Sequence, residues 1–369
     1  MSLHLLAGVP AQPEFLQAAL GRAVAARKER LPGHRLAAFW DGAIGLPVAG
    51  TGKAEAVCLD LSPQDDARLS YVLTALGAVS TDHPVSVDGQ PRQARLWLGR
   101  DPAAPDWQVD PWRRDFAATV LAALPDLLAL QGEKPADQVA RRFGQMLVRS
   151  GSRLRAAAPQ PATLRHLPQK QDIALQARRE PYAHFFAVEE YDLSYRRFAG
   201  DMSRQVTRAA FVSGDAVTVL PYDPRRDRVL LIEQFRAGPM ARGDANPWSL
   251  EAIAGRIDPG ETAEAAARRE AQEEAGLTLG PLLPVAGYYP SPGAKTEFLY
   301  SYVALCDLPE NAAGVFGLAE EAEDIRGHLV TLDQMLALVA SGEINNAPLV
   351  LTALWLQREA PRLRAEAGL

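Results

Sequence analysis

The chain has 369 residues, 47% of them hydrophobic and 23% charged, and it carries a net charge of −6. Its length exceeds what a single hydrophobic core usually serves, so we expect two domains. The composition is that of an ordinary globular protein. Without a broad basic excess, the chain is not expected to bind a nucleic-acid polymer.

The sequence also constrains the compartment. Cys58 and Cys306 are the two cysteines, and neither has a second cysteine or a histidine at metal-ligand spacing. This pattern argues against a disulfide framework and a structural zinc site, and it favours a reducing environment. The first residues lack the basic lead-in of a signal peptide, and no apolar run is long enough to span a bilayer. We therefore expect a cytoplasmic protein without a membrane partner.

Residues 1–105 predict a small α+β domain, because short apolar runs alternate with proline and glycine turn signals. Strands are predicted over Leu3–Ala7, Arg35–Phe39, Ala54–Leu59 and Ala94–Leu98. Helices are predicted over Gln12–Glu29 and Asp65–Leu76.

Residues 106–182 predict a helical region followed by a linker. Pro111 can start one helix whose apolar residues recur at helical spacing, and a second helix is predicted from Pro135 to about Ala157. The prolines and polar residues of AAAPQPATLRHLPQKQD then predict an exposed connector.

Residues 183–369 predict a strand-rich domain with three helices. The segment DAVTVLPYDPRRDRVLLIEQFRA predicts two strands joined by an Asp-Pro turn. Helix signals follow at Thr262–Ala275, Leu332–Ser341 and Ala347–Glu359.

Acidic residues concentrate in residues 255–277, GRIDPGETAEAAARREAQEEAGL. On the predicted helix Glu270, Glu273 and Glu274 lie three and four positions apart, so they project from nearly the same face. Their repulsion destabilises the helix unless positive charge lies nearby, and Mg²⁺ prefers carboxylate oxygens. Two neighbouring arginines could neutralise the glutamates without a metal. Helix geometry alone therefore leaves a metal site and a solvated charged face both open.

The spacing of this segment resembles the Nudix signature, G-x5-E-x7-R-E-U-x-E-E-x-G-U, in which U is aliphatic. The matching residues are Gly255, Glu261, Arg269, Glu270, Glu273, Glu274, Gly276 and Leu277. The one departure is Ala271, a small residue at an aliphatic position. The resemblance implies an α+β chain whose C-terminal part is an α/β/α sandwich with a mixed sheet, and a hydrolase that cleaves the diphosphate of a substituted nucleoside diphosphate.

The resemblance also implies roles for individual residues. Mg²⁺, with Mn²⁺ as a possible substitute, would be held by the backbone carbonyl of Ala254 and by Glu270, Glu273, Glu274 and Glu323. Glu273 would also support catalysis through a second ion. Arg269 would orient the glutamates through charge-assisted hydrogen bonds, and Glu261 would anchor the loop before the helix.

Flanking residues resemble the bacterial ADP-ribose pyrophosphatase branch over about residues 183–360, in pieces such as VLLIEQFR, PWSLEAIAG and GEINNAPLVLTALWLQ. Pro292 lies sixteen residues after Gly276, as in ADP-ribose diphosphatases, although Ser-Pro-Gly also favours a simple turn. The implied substrate-binding residues are Arg208, Arg236, Glu251, Pro292 and Glu297. Either arginine could instead lie on the surface.

The acidic loop GLAEEAEDIR resembles the mobile loop of that branch. By position, Glu321 would be the general base and Glu323 a metal ligand, while a solvated acidic loop is the alternative. The implied reaction converts ADP-ribose to AMP and ribose 5-phosphate. The strand arm FFAVEEYDLSYRRFAGDMSRQVTR implies a homodimer, because in that branch it crosses to a second subunit.

Residues 1–105 resemble the γ-glutamylcyclotransferase-like family at LLAGVPAQPEFLQAALGR and RLPGHRLA. Ala7-Gly8-Val9-Pro10 stands where that family has a Tyr-Gly-Ser/Thr-Leu turn, and Leu69 through Ser80 contains no Asp or Glu for its catalytic acid. We therefore expect that this domain has lost the activity. The pairing with a Nudix domain resembles TrgB-type tellurite-resistance proteins, which names a phenotype without a mechanism.

Two alternatives to an ADP-ribose hydrolase remain open. The same site could cleave another nucleoside diphosphate sugar or a dinucleotide. The chain could instead be an ADP-ribose-sensing regulatory protein. The intact glutamates of residues 255–277 favour an enzyme, because sensors often lose them.

Overall fold

The computed structural model describes residues 1–87, 89–317 and 323–368. The chain divides into two compact units. The N-terminal unit comprises Met1–Pro168 and Ala183–Phe186, and the C-terminal unit comprises Gln169–Tyr182 and Ala187–Leu369.

The N-terminal unit contains a five-stranded sheet in the order β2-β3-β1-β5-β4. β1 runs parallel to β5, and the other pairs are antiparallel. The strands are β1 (Ser2–Ala7), β2 (Arg27–Phe39), β3 (Ile44–Leu61), β4 (Val79–Val87) and β5 (Gln90–Leu98).

The α-helices among the described residues of this unit are α1 (Pro13–Leu20), α2 (Pro63–Ala75), α3 (Val109–Asp115), α4 (Ala117–Ala129), α5 (Ala136–Ala140) and α6 (Phe143–Ala156). Phe15, Trp112 and Phe143 are fully buried in one core that the helices share with β1 and β3. The helices of residues 109–156 bury their apolar faces against that sheet and its helices. The helical part of the segment predicted for 106–182 therefore packs within the N-terminal unit.

Two predicted helices of this unit were wrong in extent, and one strand was not predicted. The helix predicted over Gln12–Glu29 ends at Leu20, because Gly21 adopts a left-handed conformation with φ 74° that ends the helix. The helix predicted from Pro135 is two helices, separated at Arg142, whose φ of −123° is not helical. The strand β4 was not predicted, and it pairs with β5 along its whole length.

The described residues of the C-terminal unit form eleven strands, and most belong to one mixed sheet. The strands are β6 (Ile173–Ala183), β7 (Ala187–Tyr195), β8 (Val206–Val212), β9 (Ala216–Asp223), β10 (Arg228–Phe235), β11 (Trp248–Glu251), β12 (Ile253–Arg256), β13 (Leu282–Tyr288), β14 (Leu299–Leu305), β15 (Val315–Phe316) and β16 (Ile325–Thr331). The main sheet has the order β13-β14-β9-β10-β16-β15, with β11 on β10 and β12 on β9. β14 is parallel to β9, so the predicted mixed sheet is confirmed.

Helices cover both faces of the main sheet. They are α7 (Ala237–Arg242), α8 (Ala263–Ala275), α9 (Leu332–Ser341) and α10 (Ala347–Glu366). Ala266, Ala267 and Ala271 of α8 pack in the core on one face, whereas Met335 of α9 and Leu356 of α10 pack on the other. This is the predicted α/β/α sandwich. Among the described residues, no helix is long and apolar enough to cross a membrane.

The strands β6, β7 and β8 form a separate three-stranded sheet in that order. They correspond to the predicted strand arm. The edge strand β6 leaves apolar side chains in solvent: Ile173 is 60% exposed, Leu175 55% and Tyr182 53%.

Candidate active site

Within the main sheet, β9 changes its partner strand from β10 to β12, the strand in which the acidic segment begins. β9 pairs with β10 only at Tyr222 and Asp223, and farther along it pairs with β12 instead. The N–H of Ala254 in β12 donates to Glu274 Oε2 at 3.0 Å. In a strand, the N–H and C=O of one residue point to the same edge. The carbonyl of Ala254 therefore opens toward α8, where the sequence predicted a metal ligand.

The helix α8 begins and ends as the sequence predicted. The Thr262 hydroxyl accepts the N–H of Ala265 at 3.1 Å, and Gly276 ends the helix with φ 61°. Ala271, the small residue at an aliphatic position of the signature, is fully buried against the sheet. Burial of this alanine-rich face fixes the rotation of α8, so its glutamates face β12.

Arg269 forms hydrogen bonds to three glutamates at the same time. Its guanidinium donates to both oxygens of Glu261 at 2.9 and 3.0 Å, to Glu270 Oε1 at 2.7 Å and to Glu273 Oε2 at 2.9 Å. A fifth bond of 2.9 Å reaches the carbonyl of Arg256. Burial opposes the charge of Arg269, but the carboxylates outweigh it and raise its pKa. This geometry is what the predicted orienting role requires.

At Gly255 the backbone of β12 lies directly against the carboxylate of Glu270. A Cβ at this position would lie 1.8 Å from Oε1 and 1.9 Å from Cδ of Glu270. No side chain larger than hydrogen fits there while Glu270 keeps its place. The glycine that begins the signature therefore positions one carboxylate of α8 against the backbone of β12.

Two of the carboxylates are held in an environment that disfavours their charge. Burial raises the pKa of Glu270 to about 7, with Glu273 adding to the effect and Arg269 opposing it. Burial raises the pKa of Glu274 to about 8, and the charges of Glu270 and Glu323 add to it. Buried like charges of this kind fit a divalent cation, which would neutralise them and accept their oxygens. The residues present therefore fit the predicted metal.

The described side chains alone do not form a complete metal cluster. Within 1–87, 89–317 and 323–368, no three His, Cys, Asp or Glu side chains are arranged around a common point as the ligands of an ion would be. Glu270 and Glu273 are both turned to Arg269 in this arrangement. The predicted general base, Glu321, lies outside the described residues. A Cβ on Gly317 would lie 2.9 Å from Glu323, so the residues that flank 318–322 meet.

Arg236 and Glu251, predicted separately as substrate-binding residues, bind each other. Arg236 donates to both carboxylate oxygens of Glu251 at 2.9 and 2.7 Å, across the β10–β11 pair. Burial opposes the charge of Arg236, but Glu251 outweighs it, and Glu274 and Glu323 add further, so its pKa is raised. The charge of Glu323 thus acts on both Glu274 and Arg236, so Glu323 lies within electrostatic reach of both side chains.

The other predicted substrate residues lie on the arm and on one loop. Pro292 is in an exposed turn, in which Ser291 accepts the N–H of Ala294 at 3.0 Å. The carbonyl of Ala294 then accepts the N–H of Phe211 in β8 at 2.7 Å. Glu297 accepts from Lys295 at 3.3 Å.

Arg208, also in β8, is exposed and donates to the carbonyl of Thr207 at 3.0 Å. Among the described residues, none of its contacts joins it to α8. The charges of Glu274 and Glu323 thus reach Arg236, which is paired with Glu251. Arg208 instead lies on the arm.

Sequence reasoning missed two contributors. Asp258 lies 3.5 Å from Arg269, and Arg256 offers its carbonyl to the same guanidinium. Both lie between matched positions of the signature, where any residue is allowed, so only their proximity to Glu261 in sequence could have indicated them.

Comparison with known proteins agrees with this geometry. The NUDIX domain family model matches residues 212–351. The ADP-ribose pyrophosphatase of Escherichia coli (strain K12) is 42% identical over 197 residues, which are 53% of this chain and 93% of that protein. The ADP-ribose pyrophosphatase of Haemophilus influenzae is 35% identical over 56% of this chain and 94% of its own length. The GDP-mannose pyrophosphatase of Citrobacter koseri is 32% identical over 47% of this chain and 88% of its own length.

The alignments with the two ADP-ribose pyrophosphatases cover about half of this chain. The family match covers residues 212–351. It contains the capped helix α8, the Arg269 hydrogen bonds and the glycine that faces Glu270. From this signature geometry and from relatives matched over nearly their whole length, the chain is a member of the Nudix hydrolase family, in the group of the ADP-ribose pyrophosphatases.

Proposed function

We propose that the chain hydrolyses ADP-ribose to AMP and ribose 5-phosphate in a Mg²⁺-dependent reaction. The single observation that carries the proposal is the carboxylate cluster that Arg269 organises beside Ala254. The names of the relatives at 42% and 35% identity support ADP-ribose as the substrate.

The Ala254 carbonyl, Glu270, Glu274 and Glu323 would hold the ion, with Glu273 supporting a second one. When bound, Mg²⁺ supplies charge neutralisation for the diphosphate and acidifies a coordinated water. Arg269 keeps Glu270 and Glu273 in place through short charge-assisted bonds.

Arg236 would bind a phosphate oxygen. Its two hydrogen bonds to Glu251 fix the orientation of the guanidinium before the substrate binds. Glu321 would remove the proton of the attacking water. Glu297 and the Pro292 turn would contact the rest of the substrate, with Arg208 contributed from the arm.

The exposed strand arm supports a homodimer. Ile173, Leu175 and Tyr182 leave apolar surface on β6 that a second copy would cover. Sedimentation of the full chain and of Leu175→Asp tests this: the variant should shift toward the monomer, and a monomeric wild type would contradict it.

The first 105 residues would form an inactive γ-glutamylcyclotransferase-like companion, and residues 106–182 a helical segment and linker. The residues around Gly8 line a cavity of about 600 Å³ with Gln12, Lys53 and Arg113. Release of 5-oxoproline from γ-glutamyl peptides by the full chain would contradict the assignment of residues 1–105 as inactive.

We place the protein in the cytoplasm, and any effect on tellurite tolerance would follow from nucleotide turnover.

A substrate panel tests the central activity. Purified full chain with Mg²⁺ is incubated with ADP-ribose, ADP-glucose, GDP-mannose, NADH and diadenosine polyphosphates, and the products are identified. The proposal expects AMP and ribose 5-phosphate from ADP-ribose at the highest kcat/KM. Faster cleavage of another member would overturn the substrate, and binding of ADP-ribose without any product would favour the sensor.

A further inference from the structure

A row of side chains crosses the main sheet next to the carboxylate cluster. Tyr288 of β13 pairs with Leu299 of β14, Leu299 pairs with Ala216 of β9, and Ala216 pairs with Arg256 of β12. Directly opposite residues point to the same face of a sheet. Tyr288 and Arg256 therefore rise on one face, about 14 Å apart at four-strand spacing, with two smaller apolar residues between them. We call this the Tyr288–Arg256 row.

The row lies close to the reacting groups but on the other face of β12. Gly255 faces Glu270 of α8, so the next side chain, Arg256, points away from α8. The main chain is nevertheless shared. The N–H of Ala254 bonds Glu274, and the carbonyl of Arg256 bonds Arg269. A diphosphate bound at the carboxylates could thus extend one of its two substituents onto the row.

The surface beside the row is polar. Thr218 and Ser301, both buried, share a hydrogen bond of 2.7 Å, and the Tyr288 hydroxyl lies 3.1 Å from Ser301 Oγ. Glu297 adds a carboxylate whose charge acts on both Arg256 and Tyr288. Arg256, Tyr288 and Glu297 are all half-buried. This face therefore carries a guanidinium, a hydroxyl and a carboxylate on one half-buried surface.

The aromatic side chains of the same region point elsewhere. Tyr289, Phe298 and Tyr300 pack edge to face with centroids 5.0 and 5.1 Å apart. They alternate with the residues of the row, and Tyr300 packs in the core that contains α8. Among the described residues, this group of three packed aromatic rings lies off the face of the row, where a nucleobase could not stack on it. The hydrogen-bonding groups of the row suit a hydroxyl-rich sugar.

We propose that Arg256, Tyr288 and Glu297 form the subsite for the sugar phosphate half of the substrate, the half that leaves as ribose 5-phosphate, and that Arg256 and Tyr288 determine its specificity. The inference rests on the proposed hydrolysis of a nucleoside diphosphate sugar. Arg256 donates its fork to the distal phosphate or ring hydroxyls, Glu297 accepts from hydroxyls, and Tyr288 bonds the sugar while Ser301 holds its hydroxyl.

The two products probe the two halves of the site separately. Calorimetric titration of the full chain with ribose 5-phosphate and with AMP requires no turnover, so it remains informative if hydrolysis fails. Arg256→Gln should weaken ribose 5-phosphate binding about tenfold to a hundredfold, as for a lost charge-assisted hydrogen bond, and leave AMP binding within about twofold. Tyr288→Phe should weaken it about threefold to tenfold.

Two variants separate a subsite from a merely structural effect. Arg256→Lys keeps the charge without the fork and should bind ribose 5-phosphate between the wild type and Arg256→Gln. Arg225→Gln removes an exposed arginine from the β9–β10 turn and should bind both products normally.

Unchanged ribose 5-phosphate binding in both Arg256→Gln and Tyr288→Phe, or a loss confined to AMP, would overturn the subsite. A wild type that does not bind ribose 5-phosphate would also overturn it. Failure of the proposed function is a separate result, namely no AMP released from ADP-ribose by the wild type.

Discussion

Gly255→Ala should disable the site by displacing one carboxylate. The added Cβ would lie 1.8 Å from Glu270 Oε1, whereas ordinary contacts begin at 3.4 Å, so the carboxylate must move by about 1.6 Å. That movement breaks the 2.7 Å bond from Arg269. A misplacement of about 1 Å in a catalytic group can cost about a hundredfold in rate. We therefore expect kcat to fall by about a hundredfold or more, with a cost in unfolding free energy of about 1–3 kcal/mol from overpacking.

The assay is the initial rate of AMP release with Mg²⁺ titrated to saturation, together with thermal unfolding. Gly238→Ala is the matched control, because a Cβ at Gly238 in α7 would meet nothing within 4 Å. The control should keep the wild-type rate. A Gly255→Ala enzyme with wild-type kcat and wild-type demand for Mg²⁺ would refute the contact between Gly255 and Glu270 as the reason for the glycine.

Three further outcomes follow from the same geometry. Glu274→Gln should lower kcat by more than about a hundredfold yet keep the fold, because the amide oxygen still accepts the Ala254 N–H; full activity would exclude Glu274 as a ligand. Arg269→Lys should lower kcat about 10- to 100-fold, because an ammonium cannot make all five bonds of the guanidinium; an unchanged Michaelis curve would argue against its orienting role. Burial raises the pKa of Glu270 to about 7 and of Glu274 to about 8, from 4.5. The metal-free fold thus binds more protons than the unfolded chain, so its stability should fall as the pH rises from about 4.5 to about 8, and Mg²⁺ should reduce the loss; melting in EDTA against Mg²⁺ measures this, and a loss as steep in Glu274→Gln would contradict it.

The acidic helix could be predicted because its determinants are local. Thr262 caps it, Gly276 ends it, and the spacing of Glu270 and Glu274 alone decides which face they share. The Asp-Pro turn between β9 and β10 was predictable for the same reason, because turn residues act over a few positions.

The contacts that complete the site could not be predicted in this way. Arg236 and Glu251 meet only because β11 returns along β10, and the sequence does not state that register. The approach of Gly255 to Glu270 depends likewise on how α8 lies on β12. In the N-terminal unit, the predicted helix was continued beyond Gly21 because the apolar pattern persists there, while the backbone turns into β2.

The most direct test of the account compares AMP release from ADP-ribose by the wild-type chain and by Glu274→Gln, each in Mg²⁺ and in EDTA. We expect AMP and ribose 5-phosphate in equal amounts from the wild type with Mg²⁺, and little product in the other three reactions. Equal rates from the wild type in Mg²⁺ and in EDTA, or from Glu274→Gln and the wild type, would contradict a metal-dependent site at residues 254–274.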